Sequence, residues 1–291
     1  MMNAVDDTPL PEDISAWIGR SERTEDEIGL TNARRMAAML DLDPADFRTG
    51  SPLPPLWYSL FFTPNARQSQ IGHDGHPRKG DFLPPIGLPR RMFVGRSVSF
   101  LRPLRIGEAA SKTSTIAAIT PKHGRSGALV FLTVRHTIET MAGPAVVEDQ
   151  QVVYREAAGS AGAARMQEAG TAAPAADWTE QRAIDPVLLF RYSALTWNGH
   201  RIHYDADYAR AEEGYPGCVM NGALTVLLLA EAGRRRAARP LAGLTARLSS
   251  PLFSGEVMTL AGHTAADGRM ACQATGPTGI PAAAVTLSFA P

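Results

Sequence analysis

Residues 221–236 read NGALTVLLLAEAGRRR, and this stretch decides the fold. Apolar residues occupy every face of the helix that it predicts, which is typical of a helix buried all round. The three arginines at its end suit a helix C-terminus, where positive charge meets the negative end of the helix dipole. Strand-like segments follow, so the sequence predicts an antiparallel sheet wrapped around a helix over residues 222–236.

Strand-like segments occur in two series of three, one in each half of the chain. Their β-branched and apolar residues, separated by Gly and Pro turns, predict strands over residues 110–119, 128–139, 146–155, 256–265, 268–276 and 282–290. The pattern Pro-Leu-x-x-Gly-Glu precedes each series, at residues 103–108 and 251–256. Together these features indicate two duplicated domains.

An Ala- and Gly-rich segment, residues 157–177, separates the two series. It lacks bulky apolar periodicity and can bury little surface, so it predicts an inter-domain linker. An Ala-rich helix is the alternative, which the glycines and Pro174 weaken. The predicted organisation is an N-terminal domain over residues 1–156, the linker, and a C-terminal domain over residues 178–291.

Two further helices are predicted. Residues 25–42 carry apolar side chains at roughly helical spacing, with Thr24 as the N-cap. Residues 205–210 form a short helix with Asp205 as the N-cap. Helices and antiparallel strands together predict the α+β class.

The composition excludes several classes of protein. The 291 residues carry 29 Lys+Arg and 29 Asp+Glu, a balance that argues against a nucleic-acid or anionic-membrane binder. Two cysteines make a disulfide scaffold unexpected and fit a reducing compartment. No apolar run approaches the ~20 residues of a membrane helix, and the acidic N-terminus lacks the features of a signal peptide. We therefore expect a globular cytoplasmic protein.

Residues 195–209, LTWNGHRIHYDADYA, concentrate groups that could carry chemistry. His203 can act as a general base or acid near neutral pH. The predicted buried helix begins some 18 residues later. Free backbone N–H groups at its start, around Gly222, could hold an oxygen atom that gains negative charge.

Each of these residues also has an ordinary structural interpretation. Asp205 suits an N-cap better than a catalyst, and Asn198 before Gly199 is a common turn dipeptide. Two His-x-x-His pairs, at residues 73–76 and 200–203, resemble fragments of zinc sites. Since neither has a third ligand at a characteristic spacing, no metal site is expected.

The segment around His203 resembles the motif of the MaoC-type, or hydratase-2, branch of the hotdog-fold enzymes. Ile202, His203 and Asp205 match that motif, whereas Asn198 and Asn221 stand where the branch usually has Asp and His.

Nearly the whole chain is similar to two-domain hydratases of the mesaconyl-C4-CoA (3-methylfumaryl-CoA) and itaconyl-CoA type, and to the related mitochondrial acyl-carrier dehydratase. In that group Asn is common at the position of Asn198. The stretches that carry the similarity are FLPP at 82–85, LPRRM at 88–92, KHGRSG at 122–127, VYRE at 153–156 and FRYSALT at 190–196, with Arg247 four residues before Pro251.

The resemblance implies a double hotdog, in which two antiparallel sheets each wrap around a helix and the active site lies at their junction. It implies a hydro-lyase that hydrates an enoyl-CoA thioester, with a branched C5 dicarboxylyl group such as mesaconyl-C4 or itaconyl. The N-terminal hotdog would be non-catalytic, because its matching region, residues 41–46, contains no His. CoA would be part of the substrate, no further cofactor is expected, and a homodimer is expected.

The resemblance also implies roles for particular residues. His203 would exchange protons, and Asn198 would orient the water, although an amide cannot take up its proton. Gly222 and Asn221 would form the oxyanion-binding helix start. Three arginines would bind the substrate carboxylate or the CoA phosphates: Arg90, Arg91 and Arg247. An aromatic group is expected in the core or in the wall of the acyl pocket: Trp57, Tyr58, Phe61 and Phe62.

Two alternative functions remain open on the sequence alone. One is a 3-hydroxyacyl-ACP or -CoA dehydratase of broader chain length, which a wide apolar tunnel without an arginine at its end would favour. The other is a thioester-binding paralogue that has lost catalysis, which the two Asn substitutions would explain.

Overall fold

The computed structural model describes residues 14–78, 82–88, 90–124, 127–156 and 176–291. The predicted linker, residues 157–177, lies outside the described residues except for its last two positions.

The strands and helices divide between the two halves of the chain. In the first half they are β1 (Ser21–Glu27), α1 (Leu30–Met39), β2 (Arg90–Phe100), β3 (Ala109–Gly124), β4 (Gly127–Thr140) and β5 (Gly143–Arg155). In the second half they are β6 (Trp178–Ala183), α2 (Pro186–Leu195), α3 (Ala206–Ala211), α4 (Gly222–Arg234), β7 (Leu241–Leu248), β8 (Val257–Thr264), β9 (Met270–Thr275) and β10 (Pro281–Phe289). All six predicted strands are present, with ends shifted by a few residues.

One antiparallel sheet runs through both halves, in the order β1-β3-β4-β5-β2-β7-β10-β9-β8-β6. The order of the second five strands mirrors that of the first five, so β2 and β7 meet at the centre. Their pairing places Gly95 opposite Arg247 and Ser97 opposite Thr245. The two halves therefore share a continuous hydrogen-bonded junction.

Helix α4 is the buried helix that the sequence predicts. Every residue from 224 to 233 is buried, and the helix packs against β7, β8, β9 and β10. Gly233 lies where a Cβ would overlap the Leu287 side chain on β10, so the small residue permits the close approach of helix and sheet. The prediction of a sheet wrapped around this helix is confirmed.

A short 3-10 turn, Trp57–Leu60, connects the first half to this helix. The Trp57 indole Nε1 donates a hydrogen bond to Glu231 on α4, at 3.1 Å, and the Tyr58 hydroxyl donates one to Glu148 on β5, at 2.7 Å. Both aromatic side chains are buried. The turn thus fills the space between β5 and α4, in agreement with the core role predicted for these aromatics.

The predicted helix over residues 25–42 is wrong at its N-terminus. Thr24 lies in β1, paired with Lys112 on β3, and the helix begins only at Leu30 after Gly29. Edge pairing to β3 overrides the helical pattern here, since tertiary contacts routinely outweigh local propensity. Helix α4 also ends two residues earlier than predicted. Helix α2 and the strands β1, β2, β6 and β7 were not predicted.

No helix among the described residues combines the length and the apolarity needed to cross a membrane.

Candidate active site

A cavity of about 1500 Å³ lies between the two halves. Its walls come from β2 to β5 of the first half, from α2 and the loop after it, and from the start of α4. His203, Asn198, Asn221 and Gly222 all line it. The segments that the sequence singles out therefore meet around one cavity.

His203 ends a 3-10 turn, Arg201–His203, and its residue is only 8% exposed. Its Nδ1 lies 2.8 Å from the carbonyl oxygen of Val219. A carbonyl can only accept a hydrogen bond, so Nδ1 carries the proton and Nε2 of the neutral ring keeps a lone pair. Burial lowers the pKa of His203 to about 4. The ring is thus neutral at pH 7 and has the tautomer of a base.

Asp205 caps α3, as the sequence predicts. Its carboxylate accepts a hydrogen bond from the Tyr208 backbone N–H at 2.9 Å. The other oxygen forms an ion pair with Arg201 at 2.7 Å. These contacts fix the end of the turn that carries His203.

Asn198 closes the turn that follows α2. Its side-chain oxygen accepts a hydrogen bond from the His200 backbone N–H at 3.0 Å, and its own N–H donates to the Ser193 carbonyl at 2.8 Å. The side-chain Nδ2 has no hydrogen-bond partner among the described residues. The amide therefore serves the turn with its oxygen and offers a donor to the cavity.

The start of α4 is capped by Asn221, whose side-chain oxygen accepts from the Ala223 N–H at 2.9 Å. An Asn at this position is thus explained as an N-cap. The N–H of Gly222 has no acceptor among the described residues, as is usual for a first-turn amide. A Cβ on Gly222 would lie 2.5 Å from the Leu248 side chain, so the glycine lets β7 approach the helix.

The chain was compared with known families and proteins. Residues 57–254 match the family of hydroxyacyl-thioester dehydratase type 2. Mesaconyl-C(4)-CoA hydratase of Chloroflexus aurantiacus is 44% identical over 278 residues, which is 95% of this chain and 98% of that protein. This chain belongs to the type 2 dehydratase family. It is therefore a hydro-lyase.

Two solved structures show the same fold. A MaoC-like dehydratase from Phytophthora capsici has a TM-score of 0.71 at 17% identity and covers 94% of this chain and 96% of its own. A Mycobacterium tuberculosis protein described as a double hotdog has a TM-score of 0.57 at 15% identity and covers 94% and 96%. The predicted double-hotdog α+β fold is confirmed.

The three predicted arginines of this dehydratase lie in different surroundings. Arg90 forms an ion pair with Glu213 at 3.0 Å and donates to the Tyr215 hydroxyl at 3.0 Å, so it joins β2 to the loop after α3. Arg91 lines the cavity, and its positive charge acts on His200. Arg247 is exposed on β7 and does not line the cavity.

Sequence reasoning missed a buried polar group in the first half that also lines the cavity. Arg96 on β2 forms an ion pair with Glu148 at 3.4 Å, with side chains 8% and 5% exposed. Lys112 on β3 is half-buried and donates to the Phe62 carbonyl at 3.1 Å. His136 on β4 lies beside them. The available signal was the alternation of side chains between the two faces of β2 and β5, which places Arg96 and Glu148 on the cavity side, but β2 itself was not predicted.

The structure also brings the two His-x-x-His pairs together. The rings of His76 and His200 lie 4.2 Å apart between centroids, and those of His200 and His203 lie 5.4 Å apart. Side-chain atoms of Asp74, His76 and His200 that are able to ligate a metal all lie within 4.8 Å of one another. Each His-x-x-His pair therefore finds a third potential ligand in a segment 124 or more residues away along the chain.

Buried neutral histidines predict acid sensitivity of the fold. Burial lowers the pKa of His136 and of His203 to about 4 each, against about 6.5 in an unfolded chain. Between pH 6.5 and 4 the unfolded state binds more protons, so the free energy of unfolding falls as pH falls, by on the order of 1–3 kcal/mol per group. Measured by urea unfolding across this range, the free energy of unfolding of His136→Gln should fall less steeply with falling pH than that of the wild type. The exposed His123→Gln should match the wild type, and equal slopes for all three proteins would contradict this account.

Proposed function

We propose that this hydro-lyase hydrates the CoA thioester of a branched C5 dicarboxylic acid, with mesaconyl-C4-CoA as the first candidate and itaconyl-CoA as the second. The observation that carries the proposal is 44% identity over almost the full length of a mesaconyl-C(4)-CoA hydratase. Cationic side chains in the cavity of the first half support a substrate with a free carboxylate.

The proposed chemistry uses the residues around the start of α4. His203 would accept a proton from water through Nε2, because the Val219 carbonyl holds the proton on Nδ1. The Nδ2 of Asn198 would orient that water by donating a hydrogen bond. The N–H of Gly222 would stabilise the thioester oxygen as it becomes enolate-like.

Lys112 is our candidate for binding the substrate carboxylate. Burial lowers the pKa of this lysine, and Glu22, Glu148 and Asp26 oppose that shift. Arg96 already faces Glu148, whereas Lys112 has only a backbone carbonyl as its hydrogen-bond acceptor among the described residues. A carboxylate entering the cavity would give Lys112 a charged partner, and such hydrogen bonds are stronger than neutral ones.

The same charges weigh against a longer acyl chain. A fatty acyl group that entered the first half would displace water from Lys112 and Arg96 without offering them an acceptor. Desolvating a charge without a partner is costly. The dehydratase of broad chain length is therefore the less favoured substrate assignment.

A direct assay tests the proposal. Purified protein would be incubated in turn with mesaconyl-C4-CoA, itaconyl-CoA and crotonyl-CoA, following loss of enoyl-thioester absorbance and the mass of the product. We expect kcat/KM to be highest for a dicarboxylyl ester. A preference for crotonyl-CoA would contradict the proposed substrate class.

The Lys112→Met variant should lose discrimination between these esters. Removing a charged hydrogen bond of about 1.5–3 kcal/mol would lower kcat/KM for the dicarboxylyl ester roughly 10- to 100-fold. Crotonyl-CoA, which has no second carboxylate, should be affected less than about twofold. Lys122→Met is the matched control, since Lys122 lies exposed on the same strand and does not line the cavity. An equal loss on both esters would contradict the role of Lys112.

We also propose a cytoplasmic location, a homodimeric state and a reaction without any cofactor besides the CoA of the substrate. Two free cysteines, Cys218 and Cys272, support a reducing compartment. Light scattering tests the dimer, which should have twice the 31.2 kDa mass of the chain.

A further inference from the structure

Phe62 has an unusual backbone conformation in the wall of the cavity. It follows the 3-10 turn Trp57–Leu60, is 4% exposed, and has φ at +58°. The left-handed region is disfavoured for a side chain of this size, because the Cβ approaches the following carbonyl oxygen. Such conformations persist only where the surrounding structure holds them, and they cluster at functional sites. The contacts that hold Phe62 are therefore of functional interest.

Asp26 holds the backbone of Phe62 from the end of β1. One carboxylate oxygen accepts a hydrogen bond from the Phe62 N–H at 2.8 Å, and the other accepts one from the Glu27 N–H at 2.8 Å. Both oxygens are engaged, so the carboxylate is fixed in one orientation between the strand and Phe62. Hydrogen bonds to an ionised acceptor are stronger than those between neutral groups. This contact therefore offsets part of the cost of the left-handed backbone.

Lys112 meets Phe62 at two points. Its Nζ donates a hydrogen bond to the Phe62 carbonyl at 3.1 Å and lies 5.7 Å from the centre of the Phe62 ring. A carbonyl acceptor and an aromatic face both attract an ammonium group. Because the backbone dihedrals set the direction of a carbonyl, the left-handed conformation of Phe62 determines where this acceptor points. One residue therefore constrains the position of the Lys112 charge.

Strand pairing brings Asp26 and Lys112 to the same face of the sheet. Lys112 on β3 pairs with Thr24 on β1, and Asp26 follows two residues after Thr24. Side chains two residues apart along a strand share a face, and so do those of directly paired residues. An ammonium group has three N–H donors, and the Phe62 carbonyl accepts from one of them. Lys112 is thus held at the cavity wall with donors left to offer a ligand.

Several carboxylates surround the Lys112 ammonium. Glu22 on β1 and Glu148 on β5 act on its charge, together with Asp26. Asp26 therefore influences Lys112 in two ways, directly by its negative charge and indirectly through the backbone of Phe62. A test of positioning has to separate the two.

We propose that Phe62, held in its left-handed conformation by Asp26, is a positioning residue that orients Lys112 toward the carboxylate of the substrate. The inference rests on the proposed function, in which Lys112 binds that carboxylate. It adds that selectivity for a dicarboxylyl ester depends on a backbone conformation outside the reacting centre. Holding Lys112 in place before the substrate arrives reduces the conformational freedom that the side chain loses on binding.

The Asp26→Ala variant tests the proposal through substrate discrimination. Without the carboxylate, Phe62 can leave the left-handed region, and the carbonyl that Lys112 uses then changes direction. We expect kcat/KM for the dicarboxylyl ester to fall about 5- to 10-fold, chiefly through KM, with crotonyl-CoA changed less than about twofold. Asp26 is exposed on the edge strand, so the variant should fold, which thermal unfolding checks.

A double-mutant cycle shows whether the effect passes through Lys112. In the Lys112→Met background, Asp26→Ala should cause no further change in the ratio of kcat/KM between the two esters, because the group that it positions is gone. A merely structural role of Asp26 would instead lower turnover of both esters in either background.

The Asp26→Asn variant separates the hydrogen bond from the charge. The amide oxygen can still accept from the Phe62 N–H, whereas the negative charge is lost. We expect this variant to keep the preference for the dicarboxylyl ester within about twofold of the wild type. Glu25→Ala is the matched control for loss of a carboxylate from the same strand, since the Glu25 side chain is 79% exposed and does not line the cavity. It should behave as the wild type.

Several outcomes would overturn the inference. Unchanged discrimination in Asp26→Ala, with discrimination lost in Lys112→Met, would show that Lys112 binds the carboxylate without help from Phe62 and would leave the proposed function standing. A loss in Asp26→Asn as large as in Asp26→Ala would assign the effect to charge. An additive loss in the double variant would separate Asp26 from Lys112. A wild type that prefers crotonyl-CoA would overturn the proposed substrate class together with this inference.

Discussion

Substitution of His203 by Ala is expected to lower kcat by about 10²- to 10⁴-fold, the usual contribution of a general base. The reason lies in the tautomer, because the Val219 carbonyl keeps the proton on Nδ1 and leaves Nε2 as the acceptor. KM should change little if the ring acts on water rather than on the thioester. Steady-state kinetics on the best of the three esters measures both parameters.

His263→Ala is the control for the loss of an imidazole elsewhere. His263 lies partly exposed on β8, 3.2 Å from Asp177, and does not line the cavity. It should leave kcat unchanged. A His203→Ala enzyme that folds, as judged by thermal unfolding, and turns over at the wild-type rate would remove His203 from the mechanism.

The second large effect concerns stability. Arg96→Met leaves the Glu148 carboxylate buried with the Tyr58 hydroxyl as its remaining hydrogen-bond partner among the described residues, and breaking a buried ion pair typically costs about 3–5 kcal/mol. Glu148→Leu should cost a similar amount by stranding Arg96. The double variant should recover much of the loss, because apolar residues of similar volume often replace a buried pair at little cost. Urea unfolding of all four proteins gives the coupling energy.

An exposed pair on neighbouring strands serves as the control. Arg135 and Asp149 lie 2.7 Å apart, closer than Arg96 and Glu148, but their side chains are 55% and 31% exposed. Arg135→Met should cost less than about 1 kcal/mol, as surface ion pairs do. If both single variants in the buried pair cost no more than Arg135→Met, burial is not what makes that pair important.

Sequence reasoning correctly predicted those elements whose local residue pattern agrees with their burial and contacts in the structure. Helix α4 is apolar on every face and is buried on every face, and Asp205 caps α3 as its position suggests. Strand β2 was missed because its sequence, RRMFVGRSVSF, mixes charge, glycine and apolar residues. The mixture is explained only by the tertiary structure, in which β5 and β7 flank β2 and the cavity lies on one face of the strand.

The candidate site divides in the same way. His203 could be found from its local motif, whereas the approach of His76 depends on contacts between Gly75 and Gly199, 124 residues apart. Nothing in a local pattern encodes such a contact. The pairing of Arg96 with Glu148 is hidden for the same reason, since each residue alone resembles an ordinary strand charge.

The end of the sheet formed by β1 influences how copies of this protein behave when they meet. Strand β1, SERTEDE, leaves all its residues except Thr24 exposed, and five of its seven side chains are charged. A row of charges on an open edge discourages a second chain from adding a strand there. Sheet extension is thus disfavoured at this edge, which protects a concentrated solution against fibre-like aggregation and directs any specific self-association to other surfaces.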